Sequence, residues 1–337
     1  MTNVLLDRHH AALFYSLQLL GDRLGWDVYT TVGSDWWDED YWTFGREAYG
    51  DARLRDQYLS TDDAAWSRWN TSKEGVWLAQ DRDYPWRTIH GVELARARDM
   101  DWDYVMPTVQ DNQHGFHHFA VEQGATYLYQ VGNTGQQVDW MLDPIALVSS
   151  EVPIFGRGVR YHQEMHPAYT WREPGDPHHV ANFVNYATHM ECWSQTPKLW
   201  EALSDFGWAL YGAGMPNGSL SPTTAVVDAM AAAGWGLHDK VTGDGFGHVL
   251  WGWAAIGRPL IGHASHYAGK LGGVLWRDLE TCIDLDQHSI EEAAELVRAV
   301  SDSPSRHRAM CVAMRKTFEA YYDPEQDARN IAQLLGA

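Results

Sequence analysis

Residues 240–263 read KVTGDGFGHVLWGWAAIGRPLIGH. Gly243, Gly245 and Gly247 stand within five positions, and an apolar helical run follows them directly. Residues without a Cβ let the backbone approach a ligand closely. The first turn of a helix carries unpaired N–H groups and a partial positive charge, which suits a diphosphate. Lys240 and His248 add a cation and a donor at the two ends of the loop. The plain alternative is a glycine-rich turn with no ligand.

Working outward, residues 180–187 predict a strand. Thr196 caps a helix with Pro197 in its first turn, Leu199, Leu203 and Phe206 on one face, and Gly207 at its end. Residues 208–211 predict a strand running into Gly212-Ala213-Gly214. Ser221 and Pro222 open a helix through Val226 and Met230 that stops at Gly234. Residues 247–256 form a short helix, and 259–261 the strand after it. Ser289 and Glu292 form a capping box ahead of a helix carrying Leu296, Val297 and Val300. A final helical pair, 304–321 and 326–335, is broken at Asp323-Pro324.

The first half follows the same grammar. Val4-Leu5-Leu6 is a buried strand, and Leu13, Leu17, Leu20 and Leu24 repeat at helical spacing up to Gly25. Residues 27–32 form the next strand. This is a βαβ unit, which implies a parallel sheet. Residues 34–70, dense in Asp, Glu, Trp and Tyr, have no clean period and read as an insertion. The α/β pattern resumes with strands at 76–78, 104–106 and 127–131, a helix over 114–123, and a last strand at 145–149. Residues 153–177 read as linker.

Composition fits two α/β domains. The chain has 337 residues, 45% hydrophobic and 21% charged, enough apolar material for two cores of about 150 residues each. A formal net charge of −20 opposes any partner held mainly through phosphates, because such binding draws on Lys and Arg. The 18 Trp residues serve as core residues or as flat stacking platforms. Cys192, Cys282 and Cys311 lie far apart, against a disulfide framework or zinc knuckle. No basic region precedes a long apolar run, and no apolar stretch reaches the roughly 18 residues of a membrane helix. A soluble, cytoplasmic protein is expected.

The central stretch resembles the retaining GT-B glycosyltransferases, in the manner of glycosyltransferase family 4. That family carries an acidic residue, Gly-Phe-Gly, four residues, a second Glu, Ala, a helical turn, Gly, one residue and Pro before a strand. Here the pattern is Asp244, Gly245-Phe246-Gly247, then Trp253-Ala254-Ala255-Ile256-Gly257-Arg258-Pro259-Leu260-Ile261. Residues 314–331, MRKTFEAYYDPEQDARNI, also look like the family's ending. The second Glu is replaced by Gly252, which cannot accept a hydrogen bond from a ribose hydroxyl.

The resemblance implies an α/β fold of two Rossmann-like domains facing a cleft, with C-terminal helices returning to the N-terminal domain. The expected divisions are an acceptor domain over 1–160, a donor domain over 175–305 and bracing helices over 306–337. It implies a nucleotide-sugar donor such as a UDP- or GDP-sugar, a hydroxyl acceptor, retention of configuration, and no metal, because a helix N-terminus and a Lys do the metal's work. Asp244 falls near the transferred sugar. Lys198 is placed like the family's diphosphate Lys, with Lys240 as a substitute, and Gly212, Gly214, Gly245, Phe246, Gly247 and His248 complete the donor side.

QDNQHGFHH, residues 110–118, lies where the family often has a His near the reacting sugar. His114 is the catalytic candidate there, and Asp111, His9 and His10 fall on the acceptor side. For each His the plain alternative is a solvated or core-satisfied ring. The HQEMH stretch, 162–166, is not a zinc-protease box, because Glu164 comes one place late and Pro167 disfavours helix at His166.

The Gly-Phe-Gly-His variant also looks like phage and environmental enzymes, some of which decorate modified bases in DNA. Net charge disfavours a nucleic-acid acceptor, unless Arg82, Arg87, Arg96 and Arg98 form a basic strip. Two further alternatives are a sugar-nucleotide epimerase and a non-catalytic sugar-binding protein on the same fold.

Overall fold

The computed structural model describes residues 2–7, 11–32, 36, 62–63, 67–80, 87–108, 110–183, 196–212, 214–240 and 242–336. They fall into two compact units, Met1–Glu164 with Pro324–Ala337, and Met165–Asp323.

In the first unit, the described strands form one sheet in the order β10-β9-β8-β7-β1-β2-β6-β5-β4-β3. These are β1 (Thr2–Leu6), β2 (Trp26–Thr31), β3 (Asp62–Asp63), β4 (Ser67–Lys73), β5 (Val76–Gln80), β6 (Thr88–Val92), β7 (Tyr104–Met106), β8 (Thr126–Val131), β9 (Ile145–Val148) and β10 (Gly158–Arg160). Pairing is parallel from β10 through β6 and antiparallel from β6 to β3.

The run Val4-Leu5-Leu6 is fully buried because both faces of β1 are covered. Val4 and Leu6 pack with α1 (Ala11–Leu24) and with Ala328 and Ile331 of α9 (Pro324–Leu335). Leu5 points to the other layer, with α2 (Leu94–Arg98) and α3 (Gln113–Gln123). Alternation along one strand thus supplies two hydrophobic layers.

The second unit holds the order β12-β11-β13-β14-β15, parallel throughout. Its strands are β11 (Asp176–Asn182), β12 (Gly207–Leu210), β13 (Ala233–His238), β14 (Leu260–Gly262) and β15 (Cys282–Asp284). On one face Val180, Trp235, Leu237 and Ile261 meet α4 (Thr196–Ala202) and α7 (Ile290–Ser301). On the other, Ala181, Leu260 and Cys282 meet α5 (Thr223–Ala232), α6 (His248–Ile256) and α8 (Pro304–Tyr321). The α7 capping box is present, with the Glu292 N–H donating to Ser289 Oγ and the Ser289 N–H to Glu292 Oε2.

Arg258, fully buried, has no carboxylate within ion-pairing range among the described residues. Its guanidinium donates instead to the carbonyls of Ala231, Ala233, Ile256, Arg172 and Glu173. Ala231 and Ile256 lie in the last turns of α5 and α6, where carbonyls lack helical partners and attract a cation.

Several expectations shift. The helix expected to stop at Gly234 ends at Ala232, and Ala233–His238 is a fully buried strand. A Cβ on Gly236 would lie 2.5 Å from the Trp253 ring, so glycine there lets an indole of α6 lie flat on the sheet. The strand expected over 180–187 starts earlier, at Asp176, and 184–187 lie outside the described residues. The strand at 145–149 is not the last of its half, because β10 follows within the expected linker. The insertion 34–70 contributes β3 and the start of β4, while most of it lies outside the described residues. Of the helices expected over 306–337, α8 lies in the second unit and α9 in the first.

Candidate active site

Strand order in the second sheet reverses between β11 and β13, and the carboxyl ends of the strands at such a switch point are the usual ligand site of α/β sheets. The glycine-rich loop leaves β13 at that point. β13 ends on His238, whose ring is buried and whose Nε2 lies 3.2 Å from Asp244 Oδ2. Lys240 Nζ donates to the other oxygen, Asp244 Oδ1. The Asp244 N–H donates to the Tyr267 hydroxyl at 3.2 Å. Burial pushes the Asp244 carboxyl up, but the His238 imidazole and the Lys240 ammonium outweigh it and hold the carboxyl well below the usual carboxylate range. Asp244 is therefore ionised at neutral pH, with a quarter of its side chain still exposed.

The loop is shaped by its neighbours. Gly243 has φ +63°, and a Cβ there would meet the His266 carbonyl at 2.7 Å. Gly247, at φ +80°, is the N-cap of α6 and brings no side chain to the N–H groups of its first turn. Phe246 is 1% exposed and stacks on Trp251, centroids 5.7 Å apart at 13°. Its ring belongs to the core, so only its backbone is left to face a ligand. His248 opens α6, with its ring edge-on to Phe246 at 5.2 Å.

A second set of groups sits beside this loop. Asp239, nearly fully buried, accepts from Thr196 Oγ1 at 2.7 Å, tying the start of α4 to the end of β13. Burial raises the Asp239 pKa, partly opposed by that bond. Lys198, two residues after Thr196, is exposed on α4. His263 Nδ1 lies 2.8 Å from Asp286 Oδ1, and the His266 ring lies 4.8 Å from that of His263. Asp284 and Asp286 have Asp-x-Asp spacing, but both are engaged by the protein. Asp284 accepts from the Ala264 and Asp286 N–H groups and from Gln287, and Asp286 from the Ser265 N–H. Among the described residues no three His, Cys, Asp or Glu side chains form a metal-ligating group.

The replaced motif position is explained by packing. A Cβ on Gly252 would lie 2.8 Å from Tyr169 Cε1. The Tyr169 ring occupies the space that any side chain at 252 has to enter.

Beyond β12, Gly212 and Gly214 lie in a tight loop, with the Gly212 N–H donating to the Gly218 carbonyl at 2.9 Å. In the first unit the strand order reverses between β1 and β7. His114 lies in the first turn of α3, half-exposed, with Nε2 3.4 Å from Asp139 Oδ2. Asp111 lies in the preceding 3-10 turn, Gln110–Asn112. His9 and His10 lie outside the described residues.

Sequence reasoning missed Asp7. It is buried at the end of β1 and accepts from the Thr108 N–H at 3.0 Å and from Asn112 Nδ2 at 2.7 Å, fixing the start of the α3 region. Position was its only signal, since it directly follows a buried strand. The proposed basic strip is weakened, because Arg87 pairs with Asp22, Arg98 lies 3.5 Å from Glu122, and Arg82 lies outside the described residues.

No protein-family model matches the chain, and no curated protein matches it. Solved structures resemble it along its whole length, and they define a class: the fold is GT-B. Sucrose-phosphate synthase from Thermosynechococcus elongatus aligns with a TM-score of 0.65 at 12% identity, over 99% of this chain and 98% of that one. HepE from Anabaena, in complex with UDP and glucose, gives 0.60 at 11% identity, over 100% and 99%. An alpha-glucosyltransferase in complex with UDP and a 13-mer DNA containing an HMU base gives 0.61 at 8% identity, over 100% of both chains.

Proposed function

We propose that this chain is a glycosyltransferase that moves a sugar from a nucleotide-sugar donor to a hydroxyl acceptor, with retention of configuration and without a metal ion. The observation that carries this reading is Asp244. An ionised carboxylate, held between His238 and Lys240, stands at the entry to the α6 N-terminus and at the switch point of a parallel sheet. The likeness to HepE and the alpha-glucosyltransferase, both solved with UDP, supports a UDP-sugar as the first donor to try.

In this reading the donor diphosphate lies against the first-turn N–H groups of α6, with Lys240 and Lys198 as cations. The bond between the anomeric carbon and the diphosphate oxygen breaks. The acceptor oxygen bonds the same carbon from the same face, and its proton leaves with the diphosphate. Asp244 accepts from a sugar hydroxyl and orients the ring, and His238 keeps that carboxylate in place. His114, Asp111, His9 and His10 are assigned to the acceptor side.

A DNA acceptor is the second reading, favoured by the alpha-glucosyltransferase neighbour and opposed by the net charge of −20. The test is a thermal-shift screen against nucleotide sugars and their nucleoside diphosphates. A ligand that binds only the folded state raises the melting temperature. A shift with one sugar nucleotide, lost in Asp244→Ala, supports the donor site. An unmoved melting temperature with every donor sinks it. The donor that binds is then offered small hydroxyl acceptors and a hydroxymethylated DNA oligonucleotide.

A further inference from the structure

Two aromatic residues stand at the carboxyl ends of neighbouring strands in the second sheet. Phe183 follows β11 and Tyr211 follows β12, and their rings stack with centroids 4.8 Å apart at 23°. The Phe183 ring also meets Trp253 of α6 at 5.5 Å and 67°. Trp253 is fully buried, while Phe183 and Tyr211 are half-buried. Among the described residues the three rings form a ladder that begins in the core and ends at Tyr211.

The backbone under the outer rung is fixed. The Tyr211 N–H donates to the Asn182 carbonyl at 2.8 Å, and Asn182 Nδ2 donates to the Leu237 carbonyl at 3.0 Å. Asn217 closes the following loop, its Oδ1 accepting from the Leu210 N–H at 2.8 Å. A ring held in this way gives up little side-chain freedom when a second flat ring lands on it, so little binding energy is lost to ordering.

Position says what would land there. β12 and β13 flank β11, so Tyr211 lies about 10 Å, two strand spacings, from the end of the strand that carries the Asp244 loop. A nucleoside diphosphate covers that span with its base at one end and its distal phosphate at the other.

We propose that Tyr211 is the stacking platform for the nucleobase of the donor, with Phe183 and Trp253 as the residues that position it. This rests on the donor-site reading above. Stacking uses the π-face that every base has, so the platform supplies affinity and leaves base choice to polar groups around it.

Calorimetric titration of the full chain with UDP, and with inorganic pyrophosphate as competitor, separates the two readings. Tyr211→Ala weakens UDP about tenfold or more, leaves pyrophosphate affinity unchanged, and is rescued by Tyr211→Trp. UDP affinity within twofold of wild type in Tyr211→Ala overturns the platform and leaves the donor loop standing. An equal loss for UDP and pyrophosphate also overturns it, because the substitution then acts on the loop as a whole. Failure of the wild-type chain to bind pyrophosphate and every nucleoside diphosphate offered, UDP first, overturns the donor site, and the platform with it.

Discussion

Gly252 offers a test in which the sign of the effect decides the matter. The residue lies inside α6, and a Cβ there would stand 2.8 Å from Tyr169 Cε1 and 3.4 Å from two further ring carbons. Gly252→Ala brings two opposed effects. Alanine gains about 1 kcal/mol over glycine in a helix interior. Overpacking against a ring already seated on the core costs about 1–3 kcal/mol. The net expectation is a loss of up to about 2 kcal/mol, where open space would have given a gain of about 1 kcal/mol. In a Tyr169→Ala background the obstacle is gone, and the same substitution becomes stabilising. The cycle then yields a coupling of about 1–3 kcal/mol between the two positions. Scanning calorimetry resolves this, since 1 kcal/mol moves a transition by about 2–4 °C in a unit of this size. A higher melting temperature for Gly252→Ala in the wild-type background would refute the packing argument. The functional consequence is that a side chain at 252 and the Tyr169 ring exclude each other. Gly252→Glu alone therefore lowers stability and does not tighten donor binding.

Further expectations follow from the same unit. Phe246→Ala removes a buried ring stacked on Trp251 and costs about 3–5 kcal/mol in chemical denaturation; a loss below about 1 kcal/mol would mean the ring does not anchor the loop. Asp244→Asn keeps the shape but removes the charge, and kcat/KM for transfer falls by a factor on the order of 10² to 10³, with activity close to wild type as the contrary result. His307 is buried, with Nε2 3.0 Å from the Gly234 carbonyl, and burial holds its pKa below the ordinary 6.5. The folded chain then binds fewer protons than the unfolded one, so this stability is present above the ordinary value and lost as pH falls below it through the lowered folded value. Stability measured by denaturation from about pH 7.5 down to about pH 5.5 falls less in His307→Gln, and equal slopes would count against the assignment.

Local signals and long-range ones divide cleanly. Strands and helices with a strong period were legible: the buried run of β1, the Leu repeat of α1, and α7 with its capping box. Short strands were not. β7 and β14 were exceptions, while β10 and β15 have three residues each, too few to show a period. β13 reads AGWGLH, and two glycines in six residues look like a turn until Trp253 is seen lying on Gly236. Of the described Trp residues, Trp235, Trp251 and Trp253 are fully buried in the core, while Trp200 is exposed.

By itself the sequence determined the α/β character, the place of the glycine-rich loop and the acidic residue within it. Those properties come from spacing along the chain, and a glycine-rich loop before an apolar helix carries its geometry locally. Tertiary structure alone decided that His238 and Lys240 hold the two oxygens of Asp244. It also decided that Tyr169 fills the space beside Gly252, and that Phe183, Tyr211 and Trp253 form one ladder. Tyr169 and Gly252 are far apart in the chain, and a contact between them exists only once the strands and helices are packed. The physical reason is that burial and electrostatics depend on distance in space, which periodicity in one dimension does not contain.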